Sequence, residues 1–355
     1  MKVLAVSSYG VLAGSELSLA EFLAHRPAGI EASALLVEDG PLRARLEELG
    51  VPAQGVEGLD GRPGPAALAK FSRRLHHVLR TERPDVVWAT GLKAAAMSVP
   101  ACRLSGTPLV WHKVDFSLDD KIARPLGIAV NGVIGVSRAV TEALGPARKK
   151  VLGTVGPPVR LPDDARVEPA TDPPAIGTLG RLIPIKGHEH IIRAGARLGV
   201  RVILAGDASP DYPEWPAHLR ELAQAEGADV EFAGFTTDVL GTLARMTVFV
   251  TATYRDEHGF GWEGLSGAML EASWVGLPLV AARGGGTAEG VVDGVTGTLV
   301  ERADGDLIAA AAEPYLRDAE LARRTGEAGA AYAREHFAPE RASAKLFGLL
   351  ERAVR

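Results

Sequence analysis

Short apolar, β-rich runs of four to seven residues alternate with helix-length stretches along this chain, and the alternation occurs twice. The first series opens with KVLAVSS and then SELSLAEFLAHR, whose Leu17, Leu19, Ala20 and Leu23 share one helical face. EASALLVE, PLRARLEELG, PAALAKFSRRLHHVLRTER, PDVVWAT, LKAAAMSVPACRLSG, TPLVWHK, NGVIGVS and RAVTEALG continue it. Residues 154–174, TVGPPVRLPDDARVEPATDPP, break the pattern with six prolines and no periodicity, as an interdomain linker would. The series then restarts with AIGTLG, GHEHIIRAGARLG, VRVILAG, PAHLRELAQAEG, DVEFAG, DVLGTLARM and TVFVTAT. Strands this short, alternating with helices, mean βαβ units and a mostly parallel sheet. The fold class expected is α/β, with two Rossmann-like parallel-sheet domains facing a cleft. Such sheets place ligands beyond the carboxyl ends of their strands.

Length and charge narrow the function. At 355 residues the chain exceeds what one core usually holds. A net charge of −5 argues against nucleic acid as the partner. The one cysteine, Cys102, excludes an intrachain disulfide and a cysteine-based zinc site, and its apolar surroundings predict an inert thiol. The N-terminal MKVLAVSSYG lacks the apolar length of a signal peptide, and no run reaches the length of a membrane span. A cytoplasmic setting is expected; peripheral membrane contact stays open.

EGLSGAMLEASWVGLP places Glu263 just before a helix start and Glu271 about one turn inside. Ser266 is the predicted N-cap and Gly276 the predicted stop, followed by Pro278. Free N–H groups at such a start attract anions, so donors flanked by two carboxylates suit a ligand with phosphates and hydroxyls. Two solvated glutamates near a positive helix end are the simpler reading. In GTLGRLIPIKGHEHII, Arg181 and Lys186 follow a strand and precede a helix, which suits a diphosphate or an ordinary basic loop. SSYGVLAGSE carries Gly10 and Gly14 four apart, so the dinucleotide fingerprint fails, although backbone could still approach a phosphate. His112 ends a predicted buried strand facing the cleft, as a structural hydrogen-bonder or a catalytic group, with Asp115 nearby. The pairs Asp119–Asp120 and Asp163–Asp164 read as solvated, and the histidines show no metal spacing.

Taken together, GRLIPIKGHEHIIRA, EGLSGAMLEASWVGLPLVAARGGGTAEGVVDGVTGTLV and LAGSE resemble a retaining glycosyltransferase of family 4, the glycosyl transferases group 1. The match runs over residues 177–300 and is looser in the first half, where it rests on Gly14, Glu16 and His112. The resemblance implies the GT-B fold: residues 1–160 as the acceptor-side domain, joined by a C-terminal helix at about 338–355, and 161–337 as the nucleotide-sugar domain. It implies that Arg181 and Lys186 hold the donor diphosphate, while Glu263 contacts hydroxyls of the transferred sugar beside the N–H groups of Leu265, Ser266 and Gly267. Glu271 would hold the ribose and Phe235 would lie by the base. Gly14 would approach the diphosphate and His112 the reacting sugar. Three departures stand out: Leu265–Ser266 where the family often has Phe-Gly, a longer stretch YRDEHGFGW that would shape the acceptor site, and HKVD in place of His-Asp.

The expected activity is retaining transfer of a sugar from a nucleoside diphosphate sugar to a hydroxyl acceptor, which is a small molecule, a glycan or a lipid-linked group. UDP is expected ahead of GDP. No cofactor or metal is expected, since no Asp-x-Asp pair lies on a strand end and the cations near the helix start would neutralise the leaving diphosphate. The rival readings are a sugar-nucleotide epimerase of the same architecture, a non-catalytic nucleotide-sugar-binding protein and, more distantly, a dehydrogenase.

Overall fold

The computed structural model describes residues 1–56, 58–59, 64–256 and 261–355, with Asp120 described by its backbone alone. The chain divides into two compact units: Met1–Pro158 with Phe337–Arg355 (unit 1), and Val159–His336 (unit 2).

Unit 1 runs β1 (Lys2–Ser7), α1 (Gly14–Ala24), β2 (Glu31–Leu36), α2 (Pro41–Glu48), β3 (Ala53–Gly55), α3 (Pro65–Glu82) and β4 (Val86–Thr90). It continues through α4 (Leu92–Ser105), β5 (Leu109–Lys113), α5 (Arg124–Ala129), β6 (Gly132–Gly135), α6 (Arg138–Glu142) and β7 (Val151–Thr154). The sheet has seven strands in the order β3-β2-β1-β4-β5-β6-β7, and its recorded pairings are parallel. Because successive side chains of a strand point to opposite faces, β1 feeds two cores. Leu4 and Val6 meet Phe71 and Leu75 of α3 and Met97 of α4 on one side. Val3 and Ala5 join Leu19, Phe22 and Leu23 of α1 on the other. Burial on both faces is why these strands read as nearly continuous apolar runs. In α3, Phe71, Leu75, Val78 and Leu79 repeat at helical spacing and are buried; Pro65 opens the helix, and Arg83 ends it in the left-handed region at φ 49°.

Unit 2 runs β8 (Ala175–Leu179), α7 (His188–Leu198), β9 (Arg201–Ala205), α8 (Trp215–Glu226), β10 (Val230–Gly234), α9 (Val239–Leu243) and β11 (Val248–Thr251). Then come α10 (Gly267–Val275), β12 (Leu279–Ala282), β13 (Gly297–Val300), α11 (Gly305–Arg317) and α12 (Ala319–Phe337). Its six strands order as β10-β9-β8-β11-β12-β13. Both sheets therefore reverse strand order once, at β1/β4 and at β8/β11, and such a reversal opens a crevice beyond the carboxyl ends of the two strands. Helix α10 starts at Ser266, whose hydroxyl accepts from the Met269 N–H at 3.4 Å. It stops at Gly276, in the left-handed region at φ 97°. Both ends fall where the sequence places them.

The proline-rich stretch is more than a tether. From Val159 onward it is bonded into unit 2: the Val167 N–H donates to the Val275 carbonyl and the Ala170 N–H to that of Met246. Trp274 Nε1 donates to the Pro162 carbonyl at 2.9 Å, and the Arg334 guanidinium to that of Asp163 at 3.1 Å. Repeated prolines hide such bonds from a sequence reading, because the segment satisfies its backbone against distant elements rather than locally. The last helix, α13 (Pro339–Val354), belongs to unit 1, where Ala342, Leu346, Phe347 and Leu350 complete the core under α1. Phe347 meets Trp88 edge-on with ring centroids 6.2 Å apart.

Candidate active site

In unit 2 the carboxyl end of β8 leads into Gly180, Arg181 and a turn of 3-10 helix at Pro184–Lys186, which delivers Lys186 to the strand-order reversal. Gly187 then turns the chain into α7 at φ 69°, where a Cβ would lie 2.1 Å from the Ala252 carbonyl oxygen. No residue but glycine fits, so the loop after β8 is held against the loop after β11. That approach places Lys186 in an ion pair with Glu263, whose other carboxylate oxygen accepts from the Thr253 hydroxyl at 3.1 Å. The Glu263 carbonyl also accepts from the Gly286 N–H at 2.9 Å. The glycine turn after β12 thus fixes the segment: a Cβ at Gly284 would lie 2.5 Å from Trp262 Nε1. Lys186 and Glu263 keep about a fifth of their side chains exposed, at 19% and 20%.

Leu265, Ser266 and Gly267 follow directly, at the start of α10, and a Cβ on Gly267 would meet nothing within 4 Å among the described residues. Helix N-termini present unbonded N–H groups to that space. Glu271 is buried a turn further on, with 4% exposure, and its Oε1 accepts from Arg160 Nη2 at 2.7 Å. Burial raises its pKa; the Arg160 charge and hydrogen bond oppose that shift in part. Arg181 is exposed and makes no ion pair among the described residues. Phe235 is 72% exposed, and its N–H donates to Asp207 Oδ1 at 3.1 Å. His188 is buried behind Lys186; desolvation and the Lys186 charge lower its pKa to about 3.

In unit 1, Gly14 opens α1, and a Cβ there would meet nothing within 4 Å among the described residues. Gly10 is its opposite, since a Cβ would fall 2.4 Å from the Gly40 nitrogen. The loop therefore needs Gly10 for its own packing and leaves open space at Gly14. His112 lies on β5 at 3% exposure, with its ring 5.9 Å from that of Phe22 and 6.1 Å from that of Trp88. Burial lowers its pKa to about 4, opposed weakly by the Val155 backbone. Among the described residues the Val155 backbone is the near neighbour of the ring, and neither ring nitrogen completes a hydrogen bond in good geometry. A buried polar atom left so is costly and calls for a ligand, water or proton to explain it.

Sequence reasoning missed two charges. Lys113, next to His112, is 1% exposed and pairs with Asp119 at 2.6 Å, while also bonding the Asp115 carbonyl. Asp119 is thus a counter-ion to a buried lysine rather than a solvated acid. A lysine ending an apolar strand is the signal that could have revealed it. Arg160 carried no signal, because its partner is 111 residues away. The longer loop before Glu263 includes residues 257–260, which lie outside the described residues. Cys102 is buried, and its thiol pKa is pushed up to about 12.

Comparison with known proteins places this geometry. Residues 173–318 match the family described as Glycosyl transferases group 1, and residues 17–148 match the Glycosyl transferase 4-like domain. The lipopolysaccharide core biosynthesis glycosyltransferase LpsE of Rhizobium meliloti is 28% identical over 261 residues, 72% of each chain. A GDP-mannose-dependent alpha-(1-6)-phosphatidylinositol monomannoside mannosyltransferase of Mycobacterium tuberculosis is 28% identical over 315 residues, covering 81% of this chain and 80% of that one. The crystal structure of Anabaena Alr3699/HepE in complex with UDP-glucose superposes with a TM-score of 0.82 at 22% identity, covering 99% of this chain and 100% of that one. The two family matches, one in each unit, and the shared two-sheet architecture lead to one conclusion: the chain belongs to the glycosyl transferases group 1, the family-4 glycosyltransferases of GT-B fold.

Proposed function

We propose that this glycosyltransferase moves a sugar from a nucleoside diphosphate sugar to a hydroxyl acceptor with retention of anomeric configuration, without a divalent metal or a cofactor. The observation that carries the reading is the Lys186–Glu263–Thr253 constellation at the strand-order reversal of unit 2, followed at once by the α10 start. Cation, carboxylate and helix N-terminus are what a sugar diphosphate asks for. Lys186, Arg181 and the N–H groups at Leu265, Ser266 and Gly267 stabilise the charge that develops on the departing diphosphate. Glu263, held by Lys186 and Thr253, accepts from hydroxyls of the transferred sugar. Glu271 accepts from the ribose, and the exposed Phe235 lies by the base. Gly14 and His112 are the residues of unit 1 assigned to the donor, the first to the diphosphate and the second to the reacting sugar.

The acceptor hydroxyl attacks the anomeric carbon on the face from which the phosphate departs. Its oxygen bonds to that carbon, the bond from carbon to phosphate oxygen breaks, and the departing phosphate takes the proton. Glu263 is committed to the sugar hydroxyls, so it is not assigned as a covalent nucleophile.

UDP-sugar is the donor proposed first, in keeping with the UDP-glucose complex of the Anabaena protein. The mycobacterial relative, a GDP-mannose-dependent enzyme, makes that sugar the competing donor. The acceptor is taken to be a hydroxyl of a glycan or lipid-linked molecule. A thermal-shift and isothermal-titration panel of UDP-glucose, UDP-N-acetylglucosamine and GDP-mannose identifies the donor. Anomeric couplings of the product by NMR and turnover in EDTA test the chemistry. An inverted product, or activity lost in EDTA and restored by magnesium, overturns the reading.

A further inference from the structure

Glu271 is a carboxylate in an apolar helix, and an isolated charge there is expensive unless paired. One of its oxygens, Oε1, takes the Arg160 hydrogen bond at 2.7 Å, while Oε2 takes no hydrogen bond among the described residues. Arg160 itself is fastened to unit 2 by its position at the head of the ordered proline-rich stretch, whose Pro162 carbonyl is bonded by Trp274 of the same helix. The helix, its charged residue and the segment that supplies the counter-ion are therefore one packed assembly. Arg160 keeps about a third of its side chain exposed, at 32%, against 5% for Glu271, so the pair sits at the edge of solvent rather than sealed from it.

Building on the assignment of Glu271 to the ribose, we infer that Arg160 is a positioning residue for nucleotide binding: it holds the Glu271 carboxylate ionised and turned so that its second oxygen is free to accept from the ribose. A neutral carboxyl would present a donor where two vicinal hydroxyls need acceptors. Among the described residues on α10, β8, β11, β12, α12 and the 159–174 segment, Arg160 carries the charge that reaches Glu271. Burial works against ionisation there, and removing the guanidinium leaves that force unopposed.

The test is titration of UDP and GDP into the full-length protein and its Arg160→Met, Arg160→Lys and Glu271→Gln variants, with thermal melts to establish folding. Arg160→Met should weaken nucleotide binding roughly 10-fold, the loss expected for a hydrogen bond to a charged group. As the pH falls, its affinity should drop more steeply than that of the wild type, since the nucleotide's own phosphate titration is common to both and only the variant lacks the charge that opposes protonation of Glu271. Arg160→Lys should recover most of the loss by restoring the charge. Donor KM should rise with kcat nearly unchanged, because the ribose is held equally in ground and transition states. In the Glu271→Gln background, Arg160→Met should add nothing. Unchanged or tighter binding in Arg160→Met, or an equal loss in the Glu271→Gln background, overturns the inference while leaving the ribose assignment intact. Unchanged affinity in Glu271→Gln alone overturns the ribose assignment, and the inference with it.

Discussion

Lys186 pairs with a carboxylate while standing where a diphosphate is proposed to bind, so its charge has two uses that respond differently to substitution. As a partly exposed pair, Lys186–Glu263 contributes about 0–1 kcal/mol to stability. As a donor to the leaving group it is worth far more, because the charge it meets develops in the transition state. Lys186→Ala should lower kcat on the order of 100-fold and shift the melting temperature little. A kcat within a few-fold of wild type would remove Lys186 from the chemistry. The buried histidines behave differently. Folded His112 and His188 have pKa values lowered to about 4 and about 3 from 6.5. Between 6.5 and those values the unfolded chain binds protons that the native one does not. Stability is therefore full above pH 6.5 and falls as the pH drops through that window, by about 3 kcal/mol per histidine at pH 4.5. Urea unfolding at pH 7.5 and 4.5 should show this loss, and His188→Gln should reduce it; an unaltered pH dependence in the variant would contradict the assignment.

The elements around the site differ in what their glycines are for. At Gly187 the backbone is left-handed and the Ala252 carbonyl fills the place of a side chain. Gly187→Ala should cost about 3 kcal/mol or more through strain and forced separation of the two loops. Gly14→Ala meets open space, so the melting temperature should hold while donor KM rises. A destabilised Gly14→Ala would make that glycine structural instead. The ends of α10 were legible because N-cap serine and left-handed glycine act within a few residues. The alternation of strands and helices was legible for the same reason, being local periodicity. Strand order was not, since periodicity says which segments are strands and nothing about their neighbours. Lys186 and Glu263 are 77 residues apart, and only the family resemblance put them in one site. Lys113 and Asp119 are close in sequence, yet an acid at a helix start looks solvated until burial of its partner is known.

At the scale of the molecule, α13 follows every residue of unit 2 and completes the core of unit 1. Leu346, Phe347 and Leu350 are buried there, each contributing about 2 kcal/mol relative to exposure. Their sum is comparable to the net stability of a typical domain. Removing residues 338–355 should therefore expose residues 1–158 to limited proteolysis first, while nucleotide binding by residues 159–336 persists. Cleavage spread evenly over both units, or an unchanged digestion pattern, would count against this. The same arrangement has a consequence for synthesis. A ribosome releases the seven strands of the first sheet early, with Phe22 and Trp88 lacking the helix that covers them. Some two hundred residues must then be translated, at about 5–20 residues per second, before α13 emerges. The second sheet, contiguous in sequence, can finish during that wait. Nascent unit 1 thus spends about ten seconds or more as an uncapped sheet, the interval in which a chaperone or a premature stop would have its greatest effect.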